Sequence, residues 1–278
     1  GPFEKDRFKA FHAAGVTRLS IGVQSFNDAH LKAIGRVHDA AQARAAAEEA
    51  AQCFDTFNLD LMYALPGQSP AQLEEDVRTA LGFAPPHLSI YHLTIEPNTL
   101  FAKYPPRLPD GDVAYAMLDR ITALTEAAGL ARYEISAFAK AAHRCTHNTN
   151  YWQFGDYIGI GAGAHGKLSF AHRVMRQVRY RDPKQYMEHA LAGNAVAQEH
   201  EVSKQDLAFE FMLNALRLKD GFLVRDFCTR TGQPVTAITQ GLKAAEAKGL
   251  LKTNLVHIQP TERGFDFLSD LQELFLPG

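Results

Sequence analysis

The stretch "FNLDLMYALPGQSPAQLEEDVRTALGFAPPHLSIYHL", residues 57–93, decides the fold class of this chain. It begins with a strand-like alternation of apolar and polar residues. Ser69, Pro70 and Gln72 then supply a helix N-cap, a first-turn proline and a capping-box partner. A second strand-like segment at residues 87–93 follows that helix. This strand–helix–strand order predicts two parallel strands joined by a right-handed crossover.

The same alternation continues on both sides of this stretch. The further strand-like segments are residues 17–23, 132–136 and 157–162, and the further helix-like segments are residues 3–15, 39–52 and 112–129. Asp39 is the expected N-cap of one of these helices, and Gly129 is the expected end of another. Repeated strand–helix pairs predict an α/β fold with a parallel sheet and helices outside it.

The last third of the chain has a different pattern. Its helix-like segments are residues 207–218, 224–232 and 234–249, followed within residues 255–271 by a short strand, a turn and a last helix. This order is typical of a winged-helix module that begins near Val202. Lys243 and Lys248 on the candidate recognition helix are accompanied by Glu246 and by no arginine, which makes that helix a poor reader of DNA. A packing module and a DNA-binding module both remain open.

Composition excludes some classes of protein. Lys and Arg number 29 against 31 Asp and Glu, so we expect neither nucleic-acid binding nor stable membrane insertion. No apolar run reaches the length of a membrane-spanning helix, and no signal peptide is visible. The widely separated Cys53, Cys145 and Cys228 favour a reducing cytoplasm. The chain does not begin with Met, which leaves its natural start open.

The run "GDYIGIGAGAHG", residues 155–166, contains Gly161, Gly163 and Gly166 in the spacing G-x-G-x-x-G. A dinucleotide site also needs a helix directly after this turn, so that the helix N-terminus faces the pyrophosphate. The following residues 167–182 lack a helical apolar stripe and look partly extended. We therefore interpret the glycines as allowing close approach of a ligand other than NAD.

Polar residues cluster near the ends of three predicted strands. They are Gln24 and Ser25, then Asp60, then Tyr91, His92, Thr94 and Glu96. Each one alone has an ordinary structural explanation, such as a loop cap, a buried histidine or a surface carboxylate. Because ligands bind at the carboxyl ends of parallel strands, their common location predicts a binding site at that edge of the sheet.

Six motifs occur in an order that resembles a known family. They are "RLSIGVQSF", "LDLMYALPGQ", "YHLTIEPNT", "YEIS", "HNTNYW" and "GDYIGIGAGAHG". In this order they resemble radical SAM proteins similar to oxygen-independent coproporphyrinogen III oxidase, most closely the heme-chaperone branch. The resemblance implies a partial parallel (β/α) barrel over residues 1–170, a connecting segment at 171–201 and a small, mainly helical, winged-helix-like domain at 202–278.

The resemblance also implies binding residues. The implied contacts of S-adenosylmethionine are Gln24, Arg36 for the methionyl carboxylate, Asp60 for the ribose, and Tyr91, Gly161, Gly163 and His165 around the adenine. Heme or porphyrin is implied at "HNTNYW", with His147 as the iron ligand and Tyr151 and Trp152 stacked on the macrocycle. Proteins that accept heme are the implied partners. No catalytic residue is assigned.

The main departure from the family concerns the [4Fe–4S] cluster. The family holds it with C-x-x-x-C-x-x-C, and this spacing does not occur here. That motif lies upstream of the point where this chain begins, so we expect the cluster-binding segment to be absent and the chain to be inactive as an enzyme. Ala137 also replaces an expected Asn. A heme chaperone is the favoured function, and an oxidase that decarboxylates propionate side chains and a winged-helix regulator are the alternatives.

Anaerobic reconstitution with iron and sulfide is expected to leave this chain without a stoichiometric [4Fe–4S] cluster. Such clusters need several thiolates at one site, and Cys53, Cys145 and Cys228 are far apart in sequence. Iron and sulfide analysis with absorbance spectra measures the result. Four irons per chain, with a broad band near about 400 nm, would contradict the expectation.

Overall fold

The computed structural model describes residues 7–277 and divides the chain into two compact units. The first unit extends to Arg144, and the second begins at Cys145. The first contains the predicted strand–helix repeats, and the second contains the glycine run and the predicted winged helix. The domain boundaries predicted after residues 170 and 201 stay predictions.

The first unit is an α/β layer built on one five-stranded sheet. Its strands are β1 (Leu19–Gln24), β2 (Phe57–Tyr63), β3 (His87–His92), β4 (Ala131–Glu134) and β5 (Ala137–Ala139). Its helices are α1 (Arg7–Ala13), α2 (Asp28–Ala33), α3 (Ala40–Cys53), α4 (Pro70–Gly82), α5 (Leu100–Lys103) and α6 (Gly111–Ala127). The strand order is β1-β2-β3-β5-β4. Strands β1, β2 and β3 are parallel as predicted, whereas β5 is antiparallel to both β3 and β4.

Local sequence signals place the helix ends where they were predicted. Asp39 and Ser69 each accept a hydrogen bond from the backbone of the third helical residue and complete a capping box. Pro70 occupies the first turn of α4, where its missing N–H costs nothing. Gly129 follows α6 with φ +78°, a conformation that favours glycine.

One face of the sheet forms the core of the first unit. Alternate residues of β2, Phe57, Leu59 and Leu61, are buried together with Leu88 and Ile90 of β3. They pack against apolar side chains of the helices, among them Ala47, Leu73, Val77, Met117 and Ile121. Because side chains alternate across a strand, the residues between them project from the opposite face.

The turn after β1 is fixed by a buried carboxylate on α4. Asp76 is 2% exposed and accepts hydrogen bonds from Ser25 Oγ at 2.6 Å and from the Phe26 backbone N–H at 2.7 Å. Burial raises the pKa of Asp76, and the hydrogen bonds from Ser25 and Phe26 oppose that rise. Asn27 then caps α2. Asp76 thus connects the end of β1 to the helix layer.

The second unit contains two small antiparallel sheets and seven α-helices within its described residues. Its strands are β6 (His165–Phe170), β7 (Arg173–Arg179), β8 (Val196–Glu201), β9 (Phe222–Leu223), β10 (Leu251–Thr253) and β11 (His257–Pro260). Its helices are α7 (Thr146–Trp152), α8 (Pro183–Leu191), α9 (Lys204–Ala215), α10 (Val224–Thr231), α11 (Thr239–Ala247), α12 (Glu262–Asp266) and α13 (Leu268–Glu273). The sheet orders are β6-β7-β8 and β10-β11-β9.

The strand predicted at residues 157–162 is wrong. Only Tyr157 makes a bridge, to Lys167, and the chain then forms a loop. Gly161 has φ +108° and Gly163 has φ +71°, conformations that interrupt a strand. A Cβ at Gly159 would lie 2.3 Å from the His165 carbonyl oxygen, so the loop lies directly against β6. The glycine run leads into strand β6 and not into a helix, which agrees with the rejection of an NAD turn.

The "HNTNYW" segment, to which the sequence analysis assigned neither a helix nor a strand, is helical. Residues Thr146–Trp152 form α7, with the Gln153 N–H donating to the Thr149 carbonyl at 2.8 Å. Apolar periodicity is weak in so short a segment. Just beyond the end of the helix, the Phe154 carbonyl accepts a hydrogen bond from Lys167 Nζ at 3.0 Å.

The helices and strands from Lys204 onward match the winged-helix pattern predicted for the end of the chain. Helices α9, α10 and α11 pack around Phe211, Phe227 and Leu250, and β10 and β11 form the wing. Two details differ from the prediction. Residues Val235–Ile238 form a 3-10 helix before α11, and the last predicted helix breaks at Phe267 into α12 and α13.

Replacing Asp76 with Ala is expected to lower the free energy of unfolding by about 2–4 kcal/mol. The substitution leaves a buried hydroxyl and a buried backbone N–H without their acceptor. Urea denaturation followed by far-ultraviolet circular dichroism measures the change. Glu75→Ala removes an exposed carboxylate from the same helix and serves as the matched control. Equal stability of the two variants would contradict the role of Asp76.

Candidate functional site

The face of the sheet opposite the core carries polar side chains in register. Ser20, Asn58 and His87 are aligned across β1, β2 and β3. Gly22, Asp60 and Ser89 form the next row toward the carboxyl ends of the strands. Tyr91 is paired with Met62 in the row after that, and its side chain is exposed. Two of the predicted S-adenosylmethionine contacts, Asp60 and Tyr91, therefore share one face of the sheet.

Gln24 reaches the same face through an unusual backbone. It lies at the end of β1 with φ +69°, a conformation that few residues other than glycine adopt, and the register shifts between Gly22 and Gln24. A Cβ built on Gly22 would lie 3.0 Å from Gln24 Nε2. The Gln24 amide thus lies above Gly22 of β1. Gly22 is paired with Asp60 of β2. The hydrogen bonds of Asp76 to the next two residues hold this turn.

Asp60 lies in the middle of β2, not at its carboxyl end. Its Oδ1 accepts from Asn58 Nδ2 at 2.8 Å, and its Oδ2 accepts from Ser20 Oγ at 3.3 Å. Burial raises the pKa of Asp60, and hydrogen bonds from Asn58, Ser89 and Ser20 oppose the rise. These hydrogen bonds hold the carboxylate in place. Because the side chain is only half-buried, the carboxylate also remains accessible to a ligand.

Arg36 lines a cavity of the first unit. The cavity has a volume of about 590 Å³ and is lined by Ser20, Gly22 and Arg36 among others. Arg36 is exposed in the loop between α2 and α3. Among residues 7–277 no carboxylate is paired with it. Its guanidinium is therefore available to a carboxylate ligand.

The glycine-run residues belong to the second unit. The Gly161 N–H donates to Tyr186 OH at 3.0 Å, and the Gly163 N–H donates to the Tyr180 carbonyl at 2.8 Å. His165 is exposed as the first residue of β6. No side chain contacts a Cβ built on Gly161, so a flat group can approach its backbone closely.

Helix α7 separates the predicted heme residues onto two faces. His147 is exposed, and its ring packs edge-on against Tyr151 with centroids 4.9 Å apart, one helical turn away. The Tyr151 ring in turn lies 4.4 Å from that of Tyr157. Trp152 points elsewhere, since its ring lies 4.2 Å from the Arg217 guanidinium. The structure thus brings together His147 and Tyr151 but not Trp152.

No metal-binding group of side chains is found in the part of the chain that the structure describes. Within it, no three His, Cys, Asp or Glu residues are placed to hold an ion. Cys53 ends α3, Cys145 precedes α7 and Cys228 lies within α10, all as free thiols. These residues do not fit a [4Fe–4S] cluster, which is held by several convergent thiolates.

Sequence reasoning missed the polar side chains that surround Asp60. Asn58, His87 and Ser89 are buried, and they hydrogen-bond to one another across β2 and β3. The spacing of Asn58 two residues before Asp60 places it on the same face, and this signal was available in the sequence. The partners on β3 required the strand register.

Two family models match parts of the chain. The radical SAM superfamily model matches residues 1–80, and the HemN C-terminal domain model matches residues 202–267. The first match contains Gln24, Arg36 and Asp60, and the second contains the winged-helix-like helices and wing. The solved structure of coproporphyrinogen III oxidase (HemN) from Escherichia coli superposes with a TM-score of 0.78 at 20% identity, covering 98% of this chain and 67% of that one. This likeness shows a shared fold.

Curated relatives are closer in sequence. Heme chaperone HemW of Escherichia coli is 44% identical, and that of Haemophilus influenzae is 42% identical, each over 99% of this chain and 72% of the relative. The mitochondrial radical S-adenosyl methionine domain-containing protein 1 of Mus musculus is 36% identical over 77% of this chain and 51% of its own length. With this identity over nearly its whole length, the chain belongs to the HemW family within the radical SAM superfamily.

Proposed function

We propose that this chain is a heme chaperone that binds heme through His147 and passes it to an acceptor protein. The observation that carries the proposal is the exposed His147 ring on α7, with Tyr151 packed beside it. Imidazole is a common axial ligand of heme iron, and a neighbouring aromatic ring favours a flat apolar ligand. The relatives at 42% and 44% identity are named heme chaperones, which supports the same cargo here.

Tyr151 and Trp152 have different roles in this proposal. Tyr151 contacts His147 directly and is placed to touch a bound macrocycle. Trp152 packs on the Arg217 guanidinium, so its contribution is to hold α7 against the rest of the second unit. The proposed heme contacts are therefore His147 for the iron and Tyr151 for the porphyrin, with Trp152 supporting the helix.

The first unit is proposed to bind the adenosyl group of S-adenosylmethionine. Asp60 accepts hydrogen bonds from the ribose hydroxyls, Gln24 donates from its amide, and Arg36 pairs with the methionyl carboxylate. The bare backbone at Gly22 lets the Gln24 amide lie beside Asp60. Tyr91 is exposed on the same face, at the carboxyl end of β3. The assignment of Gly161, Gly163 and His165 to the adenine stays a prediction from the sequence.

The radical SAM superfamily implies a [4Fe–4S] cluster, which would supply an electron for reductive cleavage of S-adenosylmethionine. The described residues do not fit such a cluster. We therefore derive no catalytic step for this chain. Its proposed activity is binding, of an adenosyl ligand in one unit and of heme in the other.

The chaperone function is favoured over both alternatives. The coproporphyrinogen III oxidase structure is only 20% identical and supports the fold, whereas the chaperone relatives are more than twice as similar. A DNA-binding regulator is disfavoured because residues 202–267 match a HemN C-terminal domain. Heme and heme-accepting proteins are the proposed partners. Throughout residues 7–277, no helix combines the length and apolar character needed to span a bilayer.

His147→Ala is expected to shift the Soret band of the hemin complex and to weaken hemin binding at least about tenfold, because the axial ligand is lost. Absorbance titration with hemin measures both effects. His143→Ala is expected to change the spectrum less, since His143 lies near Thr56 on the first unit. His257 lies on β11, and His257→Ala is expected to leave the spectrum unchanged. An unchanged Soret band and affinity in folded His147→Ala would refute the ligand assignment.

Asp60→Ala is expected to weaken binding of S-adenosylmethionine at least about tenfold, since hydrogen bonds to a charged acceptor are worth about 1.5–3 kcal/mol each. Isothermal titration calorimetry of the whole chain measures the affinity. Asp55→Ala removes an exposed carboxylate from the turn before β2 and is the matched control. Equal affinity of wild type, Asp60→Ala and Asp55→Ala would overturn the adenosyl site.

A further inference from the structure

We infer that Asn58 and His87 are positioning residues that fix the carboxylate of Asp60 for a ligand with two adjacent hydroxyl groups, such as a ribonucleoside. This inference rests on the adenosyl site proposed above and deepens it. Neither residue is placed to touch the ligand, since Asn58 is 1% exposed and His87 is fully buried. Both act through hydrogen bonds that end at Asp60.

Asn58 uses its whole hydrogen-bonding capacity. Its Oδ1 accepts from His87 Nδ1 at 2.7 Å and from Ser89 Oγ at 3.1 Å. Its Nδ2 donates to Ser20 Oγ at 2.7 Å and to Asp60 Oδ1 at 2.8 Å. An amide has two acceptor lone pairs and two donor hydrogens, so all four are occupied. The Asn58 side chain therefore has one favourable orientation.

His87 enforces that orientation. Burial, and then the charges of Arg18 and His143, lower the pKa of His87 to about 3, so the ring is neutral and carries one N–H. Asn58 Oδ1 can only accept, which puts the hydrogen on Nδ1. Nε2 is then the acceptor for Tyr133 OH at 2.9 Å. Turning the Asn58 amide over would face its NH₂ toward the His87 N–H and its oxygen toward Asp60.

The network therefore runs in one direction. Tyr133 donates to His87, His87 donates to Asn58, and Asn58 donates to Asp60. Ser20 accepts from Asn58 and donates to Asp60 Oδ2, so both carboxylate oxygens are engaged. An ionised carboxylate has about four acceptor positions. Asn58 occupies one of these positions and Ser20 another, and the accessible edge of the half-buried carboxylate faces the paired hydroxyls of a ribose.

Packing alone does not explain this group of residues. Asn58, His87 and Ser89 are buried between strands whose opposite face is wholly apolar. Burying polar groups costs desolvation free energy, and their hydrogen bonds offset that cost without a large net gain. Apolar side chains of similar volume would therefore stabilise the sheet at least as well. The network fixes the orientation of the Asp60 side chain. Asp60 is half-buried, so its carboxylate can contact a ligand.

Recognition of the two hydroxyls is tested by comparing adenosine with 2′,3′-dideoxyadenosine. The ratio of their dissociation constants isolates the hydroxyl contacts from those of the base. We expect wild type to favour adenosine by at least about tenfold, and Asp60→Ala to abolish the preference. His87→Phe is expected to reduce the ratio to within about threefold of unity, because Asn58 loses the donor that orients it.

Three further variants separate positioning from structure. His87→Gln offers an amide N–H to Asn58 and an amide oxygen to Tyr133, so it is expected to restore much of the ratio. Tyr133→Phe removes only the terminal hydroxyl and provides a milder test should His87→Phe not fold, which circular dichroism reports. Asp55→Ala is the control and is expected to keep the wild-type ratio.

The outcomes are distinguishable. A purely structural role of His87 would weaken both ligands equally and leave the ratio unchanged in His87→Phe and Tyr133→Phe, which overturns the positioning role while the adenosyl site stands. A wild-type ratio near one overturns the assignment of Asp60 and the network with it. A reduced ratio in His87→Phe or Tyr133→Phe, recovered in His87→Gln, supports the inference.

Discussion

The register of β1, β2 and β3 is the constraint on which the first unit depends. Side chains alternate along a strand, so a slip of one residue would replace buried apolar residues such as Leu59 with polar ones such as Asp60. Leu59 is fully buried in the core, and its neighbour Asp60 faces the other way. The same register that buries the apolar residues therefore aligns Ser20, Asn58 and His87 in one row. The packing of the core and the geometry of the polar row around Asp60 have one cause.

In the second unit, a buried lysine side chain connects segments that are distant in sequence. Lys167 on β6 is 1% exposed, and its Nζ donates to the Phe154 carbonyl, to Asp156 and to Ser169, each at 2.9–3.0 Å. Burial lowers the pKa of Lys167, and Asp156 opposes that effect. A buried ammonium is tolerated only when its donors are satisfied. Lys167 thereby ties the end of α7, which carries His147, to the hairpin of β6 and β7.

The two proposed ligands differ in what the protein must provide. S-adenosylmethionine presents hydroxyls and a carboxylate, and the first unit offers Asp60 and Gln24 on one face of the sheet and Arg36 in the lining of a cavity of about 590 Å³. Heme presents a metal and a flat apolar ring, and the second unit offers an exposed imidazole beside aromatic rings. Neither proposed set of contacts includes a ligand of the cluster that the superfamily implies.

The sequence by itself determined the helices, strands and caps that depend on neighbours along the chain. Asp39 and Ser69 cap the predicted helices, and alternation identified β2, because these signals act over a few residues. The motif order also identified the family. Only the tertiary structure decided which distant segments meet: the loop at Gly159 lies against β6, and Lys167 donates to the Phe154 carbonyl just beyond α7. His87 reaches Asn58 across 29 positions of sequence, a contact set by strand register and therefore by the packing of the whole sheet.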